Sequence, residues 1–179
     1  REAMAMALAE VGRYDEAEPE LLGALVDLRQ AGPRLQKRTL IVEDDLVRLY
    51  EAKGEPEKAA RALFWLVFHL RNAHQAARAA GWLGLLLRIL DDCDPAGQRS
   101  YLPLLLDGVP LMQAGSVNEA LPMVEQAAVA ARAAKDDDIF VLAGMATGRC
   151  RATRGETTQA LAILDEAMVL VVADRVAPP

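Results

Sequence analysis

Four times the chain carries the phrase Gly-x-x-x-x-Ala between stretches of helical periodicity, at Gly12 to Ala17, Gly54 to Ala59, Gly115 to Ala120 and Gly155 to Ala160. The chemistry of that phrase is an elbow between two helices. A glycine closes one helix in the left-handed conformation, a few polar residues turn the chain, and the alanine lets the second helix approach the first closely. Gly12 and Gly54 stand 42 residues apart, Gly115 and Gly155 stand 40 apart, and a worn copy at Asn72 to Ala77 lies 43 before Gly115. Regular spacing in this range predicts stacked helical hairpins.

Composition agrees with that pattern. The chain is 53% hydrophobic but only 4% aromatic, the balance of an Ala/Leu-rich helical protein. Apolar spacing at i, i+3, i+4 and i+7 together with stop signals predicts about nine helices, near 1–11, 14–31, 36–53, 56–71, 74–91, 98–113, 116–135, 138–153 and 157–172. Pro56 falls in a first turn, where a helix tolerates it, and Ser116 with Glu119 has the spacing of a capping box. Pro178 and Pro179 are expected to end the last helix. The predicted fold is all-α, a right-handed superhelix of antiparallel helical hairpins forming one domain over 1–179. Nine is an odd number for pairs, so a change of phase is expected near residue 60, separating 1–60 from 61–172. The segment 91–99 is the other candidate boundary.

Charge and cysteine content narrow the partners. A net charge of −6 and a pI near 5.0 argue against direct nucleic-acid binding, which needs a basic face. Cys93 and Cys150 stand in unrelated contexts, a usage that predicts inert thiols in a reducing, cytoplasmic compartment. No apolar run approaches the ~20 residues of a membrane span. The opening Arg1-Glu2-Ala3-Met4 already reads as helix, so the sequence looks cut from a longer one.

Two phrases resemble tetratricopeptide repeats: Leu8-Ala9-Glu10-Val11-Gly12-Arg13-Tyr14-Asp15-Glu16-Ala17 and Leu49-Tyr50-Glu51-Ala52-Lys53-Gly54. Tyr50, Gly108, Gly148, Ala120, Ala127, Ala160 and Ala167 match the places where that repeat has a tyrosine or a small residue. Asp107 and Thr147 depart from it, standing where the repeat has a large apolar residue. The resemblance implies a TPR-like α-solenoid. From residue 60 onward, Ala59 to Leu70, Ala79-Ala80-Gly81-Trp82-Leu83 and Leu164-Asp165-Glu166-Ala167-Met168 resemble the helical-repeat arm of large bacterial LuxR-type transcriptional regulators and related multidomain adenylate cyclases. Residues 1–58 are more similar to tetratricopeptide repeats attached to bacterial serine/threonine kinases. Together these imply a signalling context and no active site.

Several motifs invite chemistry that their surroundings do not support. Thr39-Leu40-Ile41-Val42-Glu43-Asp44-Asp45 looks like the first strand and acidic pair of a receiver domain, but helical residues follow, which predicts a helix with its acids in solvent. Asp91, Asp92 and Asp94 lack the central glycine and distal glutamate of a calcium loop. Asp136, Asp137 and Asp138 suit a helix start, where carboxylates meet free amides. His69 and His74 have no third ligand nearby, and no histidine is placed to activate Cys93. Trp65, Phe68 and Trp82 read as packing between hairpins. We therefore expect no catalysis, no metal and no cofactor.

A ligand of such an array would lie along the first helix of each hairpin. Counted from the elbows, the expected partner-binding positions are Leu102, Leu105, Leu106, Val109, Met112 and Gln113, then Met145 and Arg149. An apolar groove of this kind suits an amphipathic helix of a protein partner or a second copy of the chain. The expected function is a non-catalytic interaction scaffold. The alternative is a small-molecule effector sensor, which closed and convergent polar groups would favour over an open apolar trough.

Overall fold

The computed structural model describes residues 1–173. Pro178 and Pro179, expected to stop the last helix, lie outside them. Within the described residues the chain is all-α, with nine α-helices: α1 (Glu2–Glu10), α2 (Tyr14–Gln30), α3 (Gln36–Lys53), α4 (Pro56–Asn72), α5 (Ala76–Cys93), α6 (Leu102–Gln113), α7 (Val117–Ala133), α8 (Asp137–Thr153) and α9 (Thr157–Val172). Short 3-10 segments, Pro33–Leu35 and Pro95–Ser100, precede α3 and α6. The second of these replaces the start of the helix expected from residue 98.

The elbows follow one backbone rule. At residues 12, 54, 74, 115, 135 and 155 the N–H of a left-handed residue donates to the carbonyl three residues back, and the next N–H donates to the carbonyl five back. This pair of bonds satisfies carbonyls that the ended helix leaves open. Gly32 and Asp94 are left-handed too, so helix ends fall at 12, 32, 54, 74, 94, 115, 135 and 155, twenty to twenty-two residues apart. The hairpin repeat seen in the sequence is two such units. The worn copy is displaced from its expected place: the left-handed residue is His74 and the buried alanine is Ala79, whereas Ala77 is exposed. The five-residue offset from left-handed residue to buried alanine is thereby kept.

His74 and Lys135 adopt φ of 57° and 59° with a Cβ in place. A left-handed residue other than glycine costs roughly 1–2 kcal/mol, of which glycine returns all but about 0.4–1 kcal/mol of unfolded-chain entropy. His74→Gly and Lys135→Gly should each therefore stabilise by up to about 1 kcal/mol. Urea midpoints of both variants measure this, and a midpoint that stays or falls shows the elbows to be unstrained.

Helix starts show two expectations met and one not. Asp136 caps α8, its Oδ1 accepting from the Ile139 N–H at 3.2 Å, while its Oδ2 accepts from the hydroxyl of buried Tyr101 at 3.1 Å. Ser116 occupies the N-cap of α7, but its side chain makes no capping bond, so the expected capping box does not form. Pro56 lies in the first turn of α4 as predicted.

The chain divides into two compact units at Pro95/Ala96, inside the 91–99 segment. Residue 60, where a change of phase was expected, lies inside α4, which packs on both α3 and α5. The first unit holds five helices, each packed on its neighbours in sequence, which accounts for the odd number. Its core joins Ala5, Ala17, Leu21, Leu25, Leu28, Val42, Leu46, Leu49, Tyr50 and Ala59. The second unit stacks α6 to α9 in order, and α8 also touches α6. Gly108 and Gly148 sit where neighbouring helices leave no room for a side chain. A Cβ on Gly108 would lie 3.0 Å from Val124 Cγ1, and one on Gly148 would lie 2.8 Å from Leu164 Cγ.

Candidate functional site

The eight positions expected to line a groove fall into two groups. Leu102, Leu105, Leu106 and Val109 are buried in the second unit and cannot meet a partner. Their apolar breadth serves packing, because α6 is covered by α7 and touched by α8. Met112 is half-buried, and Gln113, Met145 and Arg149 are exposed. The groove along 102–113 is therefore replaced by core.

A different apolar surface is open, on α8 and α9. The two hairpins of the second unit share a register of 40 residues, so each position of α6 and α7 has a counterpart in α8 and α9. Leu105 is 0% exposed and its counterpart Met145 is 55% exposed; Leu121 is 5% exposed and its counterpart Leu161 is 56%. Ala131 and Val171 differ in the same sense, and Arg149 stands exposed where Val109 is buried. The reason is geometric, since α8 packs on α7 and touches α6, whereas among the described residues only α8 packs on α9. Met168 adds a further exposed thioether to this face. Val169 is no such mismatch, because its counterpart Val129 is exposed as well.

The first unit contains a second feature, a cleft of about 370 Å³ lined by Leu28, Arg29, Gly32, Gln36, Thr39, Leu40 and His69. Behind it lies Glu43, only 2% exposed. Its Oε1 accepts from Arg29 at 3.2 Å and lies 2.6 Å from His69 Nδ1, so one carboxylate ties α2, α3 and α4 together. Its Oε2 is buried with no hydrogen-bond partner, a costly arrangement for a carboxylate. The Thr39 hydroxyl donates to the Leu35 carbonyl at 3.3 Å. Sequence reasoning placed these acids in solvent, and for Glu43 that is corrected. The signal was present: Leu40, Glu43, Val47 and Tyr50 recur at helical spacing on one buried stripe, and Glu43 interrupts it.

Other charged groups hold elbows. Glu18 accepts from Lys53 at 2.5 Å, Lys58 at 2.8 Å and the Tyr50 hydroxyl at 3.3 Å, joining α2 to the turn between α3 and α4. Lys53 also pairs with Asp15 and Glu55. Burial would push Glu18 up, but its hydrogen bonds to Lys53 and Lys58 outweigh this and bring it below the usual carboxylate range. Burial, then the charge of Glu18, push the Tyr50 phenol up to about 12. In the second unit Arg151 bridges Glu125 and Glu156, and Arg132 pairs with Glu166 while lying 4.6 Å over the Phe140 ring.

The remaining candidates resolve locally. Thr39 to Asp45 lie in α3. Asp91 and Asp92 belong to α5, and Asp94 is its left-handed cap. Burial raises the Cys150 thiol, with Glu125 adding to the shift, and Cys93 is exposed with its thiol donating to the Ile89 carbonyl. Trp65, Phe68 and Trp82 are each half-buried, and Trp65 stacks with His69 at 5.8 Å between centroids. Among the described residues no three His, Cys, Asp or Glu side chains group to hold a metal ion, and no helix is long and apolar enough to cross a membrane. Comparison with protein-family models, curated proteins and solved structures returns no match.

Proposed function

We propose that this chain is a non-catalytic helical-repeat scaffold whose α8–α9 face receives a helix of a protein partner. The observation that carries the reading is the pairing of exposed Met145 and Leu161 with buried Leu105 and Leu121 one register earlier. Around those buried counterparts α8 packs on α7 and touches α6. The open face therefore has the shape and chemistry of a helix-accepting surface, and helix-in-groove recognition uses apolar anchors at such spacing. The resemblance of residues 60–172 to the arm of LuxR-type regulators supports a place for the scaffold in a bacterial signalling or transcriptional regulator, on the cytoplasmic side.

A synthetic peptide spanning residues 137–153 supplies the test, since that segment fills the equivalent place over α6 and α7. Labelled peptide should bind the dilute chain saturably by fluorescence anisotropy, and Met145→Lys with Leu161→Lys should abolish the signal. Absence of binding by the unaltered chain would sink the reading.

The cleft at Arg29 and His69 favours a second reading, an effector-sensing domain. Its walls join apolar Leu28 and Leu40 to the cation Arg29 and to Gln36, Thr39 and His69, a balance suited to a small organic acid. On this reading a panel of small carboxylic acids should raise the melting temperature, and Arg29→Gln should remove the rise. A panel that shifts neither the unaltered chain nor the variant excludes the effector role.

A further inference from the structure

The cleft in the first unit holds more charge than a simple carboxylic acid would use. Arg29 and Glu43 carry charges of opposite sign, and the guanidinium already donates to Glu43 Oε1 at 3.2 Å. A ligand carboxylate brought to Arg29 therefore meets a second carboxylate behind it, and like charges in a buried site repel strongly. Glu43 is 2% exposed, and its Oε2 has no hydrogen-bond partner. Such an atom bears the cost of desolvation until a donor reaches it. The two groups held by Oε1 are both walls of the cleft: Arg29, and His69, whose Nδ1 lies at 2.6 Å. A donor entering between those walls reaches Oε2 by a turn of the carboxyl group about its terminal torsion, which is soft and two-fold.

We infer that the cleft takes a small zwitterion, a free α-amino acid with an apolar side chain, its ammonium on Glu43 and its carboxylate on Arg29. The inference rests on the effector-sensing reading and narrows its ligand. An ammonium brings donors and no acceptor, the complement of a carboxylate oxygen that lacks a donor. Its charge also offsets the repulsion that a bare acid would meet from Glu43. Thr39 fits the same end of the ligand, because its hydroxyl hydrogen goes to the Leu35 carbonyl at 3.3 Å and its oxygen is left to accept. Leu28 and Leu40 form the apolar part of the wall, which suits a hydrocarbon side chain. At about 30 Å³ per water, a cleft of about 370 Å³ holds the volume of about twelve waters, enough for a single amino acid. Arg29, Glu43 and His69 belong to α2, α3 and α4, so the ligand would brace the point where one carboxyl group already ties three helices.

The test compares L-leucine, L-methionine and L-phenylalanine, each with the acid left on removing its amine and with the amine left on removing its carboxylate. Isothermal titration calorimetry of the full chain should show saturable binding of at least one amino acid. Its affinity should exceed that of either truncated compound by at least about tenfold, since each truncation leaves a charged group of the cleft without its counterpart. Trp65, stacked on His69 at 5.8 Å, should report the same order of affinities by its fluorescence. Glu43→Gln keeps the shape of the side chain and an acceptor for Arg29, and it should bring the amino acid to within about threefold of its deaminated acid. Arg29→Gln should weaken both. If Glu43→Gln does not fold, the three-compound comparison on the unaltered chain decides alone. A deaminated acid that binds as tightly as its amino acid overturns the inference and leaves the effector reading standing, as does a preference that Glu43→Gln leaves unchanged. An amine that binds as tightly as its amino acid overturns both, because Arg29 then holds nothing. Absence of binding by every compound also overturns both.

Discussion

Phe64→Ala should cost about 3–5 kcal/mol, the range for deleting a buried aromatic side chain whose site cannot collapse. Phe64 is fully buried at the middle of α4, and that helix is held by α3 on one side and α5 on the other. Its ring meets Trp65 edge-on at 5.2 Å and stacks with Phe68 at 6.1 Å. Leu63, Leu66, Val67 and Leu70 bury around the same helix, so few exposed groups are available to refill the space. Guanidinium unfolding followed by far-UV circular dichroism measures the loss. A change under about 1 kcal/mol would mean that the first unit relaxes around the cavity, contrary to a well-packed core.

Gly148→Val should cost about 3 kcal/mol by the opposite route, overpacking. Its Cβ would stand 2.8 Å from Leu164 Cγ and Cδ2 and 3.4 Å from the Ala160 carbonyl oxygen, and the carbonyl belongs to backbone that cannot rotate away. Adding Leu164→Ala to the same chain should return part of the loss, since it removes the atoms in closest conflict. Gly84 provides the contrast, for it is exposed in α5 with nothing within 4 Å of a Cβ. Gly84→Ala should stabilise by up to about 1 kcal/mol, the helix-propensity difference alone. Equal urea midpoints for Gly148→Val and Gly84→Ala would refute the close approach of α8 and α9.

These two cases mark what could be read from the sequence. Gly12, Gly54, Gly115 and Gly155 announce their turns because a left-handed residue favours glycine, and helix limits followed within a few residues. His74 and Lys135 make the same turn with side chains that carry no such signal, so their elbows were displaced or read only as a break. Burial was harder still. The apolar breadth of 102–113 is genuine, but whether a side chain there meets solvent depends on the neighbours that cover it, and periodicity within one helix does not name them. Glu43 shows the converse: its acid reads as solvent-facing until Arg29 and His69, 14 and 26 residues away, are brought to it. Leu105 and Met145 became comparable only once the 40-residue register was set beside the burial of each helix.

The even interval between helix ends also governs how this chain can change length. Helix α6 has only 12 residues, yet the 3-10 segment before it fills the remainder, and the next left-handed residue still arrives on schedule. A single residue inserted within a helix rotates everything beyond it by about 100°, carrying the apolar stripe off its neighbours. The same residue inserted at an exposed elbow moves no stripe. Lineages of this chain should therefore accept or lose residues at the turns one at a time, and inside the helices only in steps that restore the helical phase, such as about seven.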